Sequence, residues 1–138
     1  MDEIRKDEGL KGNEKIEAYI GMLKTERSAE VLSAALSSIR RRMKEGGQFI
    51  VPVEPGKDGR LHIKVMQVDG RPWLFAFTGF EEELIGNNPV MSTFMADISQ
   101  IFDMALTGDA DGVILNPWNK TMRLDRELIR IIKGEMNG

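Results

Sequence analysis

The sequence has 138 residues but no cysteine and a single histidine. Without thiols there are no disulfides, no thiolate nucleophile and no thiolate metal site, and one imidazole cannot form a multi-histidine centre. Charge of one sign is also lacking: 19 Lys and Arg against 22 Asp and Glu leave a net charge of −3. Residues 1–46 carry ten basic and nine acidic side chains and residues 47–138 carry nine and thirteen, so neither part has the positive field that generic phosphate binding needs. No apolar run approaches the roughly 20 residues that span a bilayer. The first fifteen residues are charged and contain no apolar segment of a secretory signal, which predicts a cytoplasmic protein. What is present is an ordinary apolar content, 41%, enough for one domain with a real core.

Two amphipathic helices come first. Ile16, Tyr19, Ile20 and Leu23 share one face, then Ser28 sits at an N-cap position ahead of Leu32, Leu36, Ile39 and Met43. Gly46-Gly47 ends the second helix. Residues 1–12 are charged and glycine-punctuated and read as frayed. The expected organisation is a helical extension over residues 1–46 packed on an α+β domain over residues 47–138.

After Gln48 the apolar period falls to two. Phe49, Val51 and Val53, then Leu61, Ile63 and Val65, then residues 73–77 predict three sequential antiparallel strands, the last pair joined by an Asp69-Gly70 hairpin turn. Residues 73–77 are apolar on both faces, as in a central strand. Thr78 and Glu81 have capping-box spacing for a short helix, broken by Gly86-Asn87-Asn88-Pro89. Phe94, Ile98, Ile101, Phe102 and Ala105 predict a longer helix, Val113-Ile114-Leu115 a buried strand, and Leu124, Leu128, Ile131 and Ile132 a final helix started near Asp125 and closed by Gly134. The fold class is α+β: a small mixed sheet, with an antiparallel meander and one strand reached by a helical crossover, packed with helices.

Several constellations carry little chemistry. Gly108-Asp109-Ala110-Asp111-Gly112 resembles the middle of a calcium loop, but Thr107 and Trp118 would fall at the terminal ligand positions, so a turn is expected and no metal. His62 lies mid-strand, and nothing near it in sequence supplies an orienting partner or a nucleophile. Glu81-Glu82-Glu83 suits a helix start. Arg40-Arg41-Arg42 with Lys44 complements a helix C-terminus. Phosphate-loop, dinucleotide and hydrolase-elbow motifs are missing. No catalytic residue and no cofactor is expected. The two segments that follow predicted strands, 77–80 and 116–119, would gather at one sheet edge if those strands run parallel, the end where open α/β sheets bind ligands. That makes Phe77, Thr78, Phe80, Asn116, Pro117 and Trp118 the candidate binding residues.

The ordered segments Phe49-Ile50-Val51-Pro52-Val53, Trp73-Leu74-Phe75-Ala76-Phe77-Thr78, Gly112-Val113-Ile114-Leu115-Asn116-Pro117 and Leu124-Asp125-Arg126-Glu127-Leu128 resemble the SseB protein N-terminal domain family over about residues 31–133. The resemblance implies a small bacterial α+β domain without an established enzymatic activity. The functional expectation is a non-catalytic protein-binding or scaffold domain, engaging a protein partner or a second copy of itself through the strand-end loops or the preceding helices, with no nucleic acid and no membrane. The rival is a small-molecule sensor or enzyme, with Thr78, Asn116 and a carboxylate such as Asp111 around a pocket at the same loops.

Overall fold

The computed structural model describes residues 8–79, 92–117, 119 and 121–134. The fold is α+β. A 3-10 turn, Glu8–Leu10, leads into helices α1 (Glu14–Thr25) and α2 (Ala29–Lys44). Strands β1 (Gln48–Pro55), β2 (Leu61–Ile63), β3 (Val65–Val68), β4 (Arg71–Ala76) and β5 (Ser92–Asp97) follow. Helix α3 (Ile98–Thr107), β6 (Gly112–Leu115), β7 (Met122–Asp125) and helix α4 (Arg126–Lys133) complete the order. Among the described residues, no helix is long and apolar enough to cross a membrane.

The helices form where their end signals place them. Ser28 Oγ accepts from the Val31 N–H at 3.1 Å, and Asp125 Oδ1 accepts from the Leu128 N–H at 2.8 Å, each satisfying an orphan donor of a first turn. Gly134 closes α4 at φ 77°. The C-terminus of α3 is closed differently: the Arg126 guanidinium donates to the carbonyls of Ala105, Leu106 and Ala110. A cation there also opposes the negative end of the helix dipole.

The strands divide into two sheets, ordered β2-β1-β5 and β3-β4-β6-β7. Asp69 and Gly70 both have positive φ, 53° and 77°, as a two-residue type I′ hairpin between β3 and β4 requires. The expected three-strand meander is corrected at Lys64. Its N–H donates to Pro52 O and ends the ladder of β2 on β1, after which Val65 pairs with Leu74 in the other sheet. The sheets meet where Ile50 and Phe77 exchange two backbone hydrogen bonds of 2.9 and 2.8 Å. As the crossover requires, β6 runs parallel to β4, with Leu74, Phe75 and Ala76 opposite Val113, Ile114 and Leu115.

Two further corrections concern elements. Phe94 belongs to strand β5, antiparallel to β1, because Phe94 lies opposite Val51 and Ala96 opposite Phe49; the helix begins four residues later. The spacing of Phe94 to Ile98 fits a helix, but it joins a strand residue to a helix start. Strand β7 was not anticipated. Its buried Met122 and Leu124 alternate with exposed Arg123 and Asp125 over only four residues, a short signal next to a helix start. Glu81, the far end of the expected capping box, and the helix-breaking run 86–89 lie outside the described residues.

One core joins the helices to both sheets. Ile16, Ile20, Ala35 and Ile39 pack in the same cluster as Phe49, Val51, Leu74, Val113, Phe102 and Ile129. Leu10 is buried against Ile50 and Phe77, so the segment from residue 8 is tied down rather than frayed. The opposite face of β4 and β6 carries a second cluster of Trp73, Phe75 and Ile114, with the Arg123 guanidinium 5.7 Å from the Trp73 ring centroid.

Candidate functional site

Parallel pairing of β4 with β6 brings the strand-end residues together, and the side chains then face inward. Asn116 Oδ1 accepts from the Thr78 N–H at 2.9 Å, and Asn116 Nδ2 donates to Thr78 Oγ1 at 3.1 Å. The Thr78 hydroxyl donates its own proton to Glu17 Oε2 on α1, at 2.5 Å, a charge-assisted bond. Thr78 and Asn116 are 1% and 0% exposed, and Phe77 is fully buried. Pro117 is half-buried. Phe80 and Trp118 lie outside the described residues, as does the acidic run 81–83. Asn116 holds φ 50°, a left-handed conformation that asparagine accepts better than most residues.

A hydroxyl on a carboxylate has the form of a nucleophile and its base. Here the hydroxyl is buried, and the pair ties α1 to the sheet. The tie continues through Asn13, which is 1% exposed. Its Nδ2 donates to Gln48 O and Thr78 O at 2.9 and 3.0 Å, while Arg42 Nε donates to its Oδ1 at 3.0 Å. Arg42 NH2 also reaches Gly9 O at 2.8 Å. Arg42 is therefore a half-buried clamp rather than a member of a solvated basic cluster. A side chain at Gly47 would collide with it, since an added Cβ would lie 2.7 Å from Arg42 O.

Asp111 does not join Thr78 and Asn116. It precedes β6, at the opposite end of the strand from Asn116, and makes a two-bond ion pair with Arg71. The Arg71 guanidinium holds the Asp111 carboxyl below the usual value, and Asp111 raises Arg71 in return. Asp111 is therefore not the carboxylate that accompanies Thr78 and Asn116. The glycine-flanked stretch 108–112 is the α3–β6 connection, and no group of three metal-ligating side chains occurs among the described residues. His62 does have a partner nearby: its Nε2 lies 3.0 Å from Asp58 Oδ1, across the loop between β1 and β2. That hydrogen bond, followed by one from the Arg60 N–H, lowers the Asp58 carboxyl. Both side chains are half-exposed.

Sequence reasoning missed the concavity beside these ties. A cleft of about 630 Å³ opens between the α1–α2 turn on one side and β7 and α4 on the other. Ile20, Leu23, Leu32, Met122 and Leu128 give it an apolar lining, and Lys24, Arg27 and Arg123 line it as well. No acidic residue lines it; Arg123 lies 3.8 Å from Asp69, while Lys24 and Arg27 have no ion pair among the described residues. Its volume is in the range of small-ligand and peptide-anchor pockets. The signal was divided between Leu23, Lys24 and Arg27 at one helix end and Met122 about a hundred residues later. Compared with protein-family models, with curated proteins and with solved structures, the chain matches none.

Proposed function

We propose that this chain is a non-catalytic protein-binding or scaffold domain of the bacterial cytoplasm, of the SseB-like kind that its ordered segments suggest. The observation that carries the reading is the cleft with an apolar lining that also includes Lys24, Arg27 and Arg123 and no acidic residue. Helix-in-groove recognition uses such a surface: apolar anchors fill the groove and the charge that lines it selects the partner. The partner that fits is an amphipathic helix with acidic residues beside its apolar face. The inward orientation of Thr78 and Asn116 supports binding over catalysis, because their polar groups serve the domain's own interior. Withdrawal of Arg42 into the Asn13 clamp supports a protein partner over nucleic acid, since it thins the basic cluster.

The test pairs two designed helical peptides, one with Glu and one with Lys flanking a leucine face, read by fluorescence anisotropy. The acidic peptide should bind, should weaken with salt, and should lose about tenfold in affinity, near 1.4 kcal/mol, with the double variant K24E/R27E. Leu32→Glu should abolish binding. Equal binding of both peptides, or affinity unchanged in K24E/R27E, would refute the reading.

A further inference from the structure

The sheet β2-β1-β5 has an edge unlike the other edges among the described residues. Of the terminal strands in the two sheets, β2 spans three residues and includes His62, β3 spans four and ends opposite Arg71, and β7 carries Arg123 and Asp125. Short length and charge are the usual devices that keep an edge from pairing. Strand β5 is six residues long, and from Ser92 through Ala96 it contains no charge and no proline. Phe94 in its middle is 44% exposed.

The hydrogen-bond directions fix which groups face outward. On β1, Ile50 bonds to Phe77 and Pro52 O accepts from Lys64, so these residues point away from β5. Phe49, Val51 and Val53 therefore point towards β5 and meet Ala96, Phe94 and Ser92. Alternation leaves the N–H and C=O of Thr93 and Met95 on the outer edge. Neither residue has a hydrogen bond to another strand there among the described residues.

We infer that this edge pairs with a second copy of the chain, β5 against β5, antiparallel about a two-fold axis at Phe94. In that register Thr93 of each copy bonds Met95 of the other, and the two Phe94 residues form a non-hydrogen-bonded pair. Such pairs bring side chains closest, with Cα atoms about 4.5 Å apart. The strand is its own complement: no like charges oppose one another, the two aromatic rings meet on one face, and the three-stranded sheets join into one of six strands. A two-fold axis closes the assembly at two copies. The contact is short, so the dimer is a concentration-dependent one. It uses a different surface from the cleft and stands or falls separately from the reading of that cleft.

Sedimentation equilibrium of the full chain should show the mass rising with concentration from 15.5 kDa towards twice that value. Phe94→Arg places like charges opposite each other, and Thr93→Pro removes an outward N–H while leaving the bonds to β1 in place. Each should lower the association constant at least about tenfold, whereas Leu61→Arg on the β2 edge should leave it unchanged. Because the native chain has no cysteine, single-cysteine variants read the register directly. Phe94→Cys should oxidise to a disulfide-linked dimer, and Ser92→Cys, which has Ala96 of the other copy opposite it, should not. A chain that stays monomeric at all concentrations, a dimer indifferent to both edge variants, or equal crosslinking by the two cysteines would overturn the inference.

Discussion

The two ends of the parallel pair β4–β6 carry polar pairs of opposite standing. At the C-terminal end, Thr78 and Asn116 are buried and bonded to each other and to Glu17 of α1. At the N-terminal end, Arg71 and Asp111 make equally short bonds, 2.8 Å each, but Arg71 stays two-thirds exposed. Bond length is thus no guide to importance. What differs is the cover: α1 lies over one end, and water reaches the other. A buried polar group that loses its partner bears the full desolvation cost, while an exposed one turns to solvent.

The comparison breaks most easily at Asn116. Asn116→Ala removes the acceptor of the Thr78 N–H and the donor to its hydroxyl, and it puts alanine at φ 50°. We expect a loss of about 2–4 kcal/mol by urea denaturation. Asn116→Gly removes the same bonds but tolerates the backbone, so it should cost about 1 kcal/mol less. Equal losses would show that the left-handed backbone carries no strain. The next largest effect belongs to Arg42, whose two ends repeat the contrast within one side chain. Arg42→Ala should cost about 1.5–3 kcal/mol through the unpaired Asn13 Oδ1 and Gly9 O. Glu45→Ala, which removes its exposed partner, should change stability within error. A double-mutant cycle of Arg42 with Asn13 isolates the buried half.

The same contrast explains which parts of the molecule were legible in the sequence. Helix ends at Ser28, Asp125 and Gly134 and the Asp69-Gly70 turn are local chemistry, and they were readable. So was the meeting of Thr78 with Asn116, since it needs only two parallel strands. The inward turn of Thr78 was not, because its cover comes from Glu17, sixty-one residues away, and Asn13, sixty-five away. In sequence, Glu17 reads as a first-turn acid of a helix and nothing more. Strand β5 was absorbed into the helix after it because Phe94 and Ile98 share helical spacing by accident. The Asp58–His62 pair could have been read: the two are four residues apart across a glycine turn, and Gly56 packs so close that a Cβ there would come within 2.4 Å of the imidazole.

The smallest expected effect, at Arg71 and Asp111, tests the solvent-exposed half of the comparison. The folded-state Asp111 carboxyl lies below its ordinary value of 3.8, chiefly because of the hydrogen bonds from Arg71. A depressed carboxyl stabilises the fold at pH above 3.8 and loses that contribution as pH falls through the folded value. Asp111→Asn has no carboxyl to titrate. At neutral pH it should be only marginally less stable than the parent, because the pair is exposed and screened. As pH drops below 3.8 the parent should lose its advantage, and the two stability curves should converge. Asp58, which is also lowered, keeps titrating in both proteins and supplies a shared residual slope. Parallel curves that never approach each other would mean that Asp111 acts through packing rather than charge, and the N-terminal end of the strand pair would then resemble its buried counterpart.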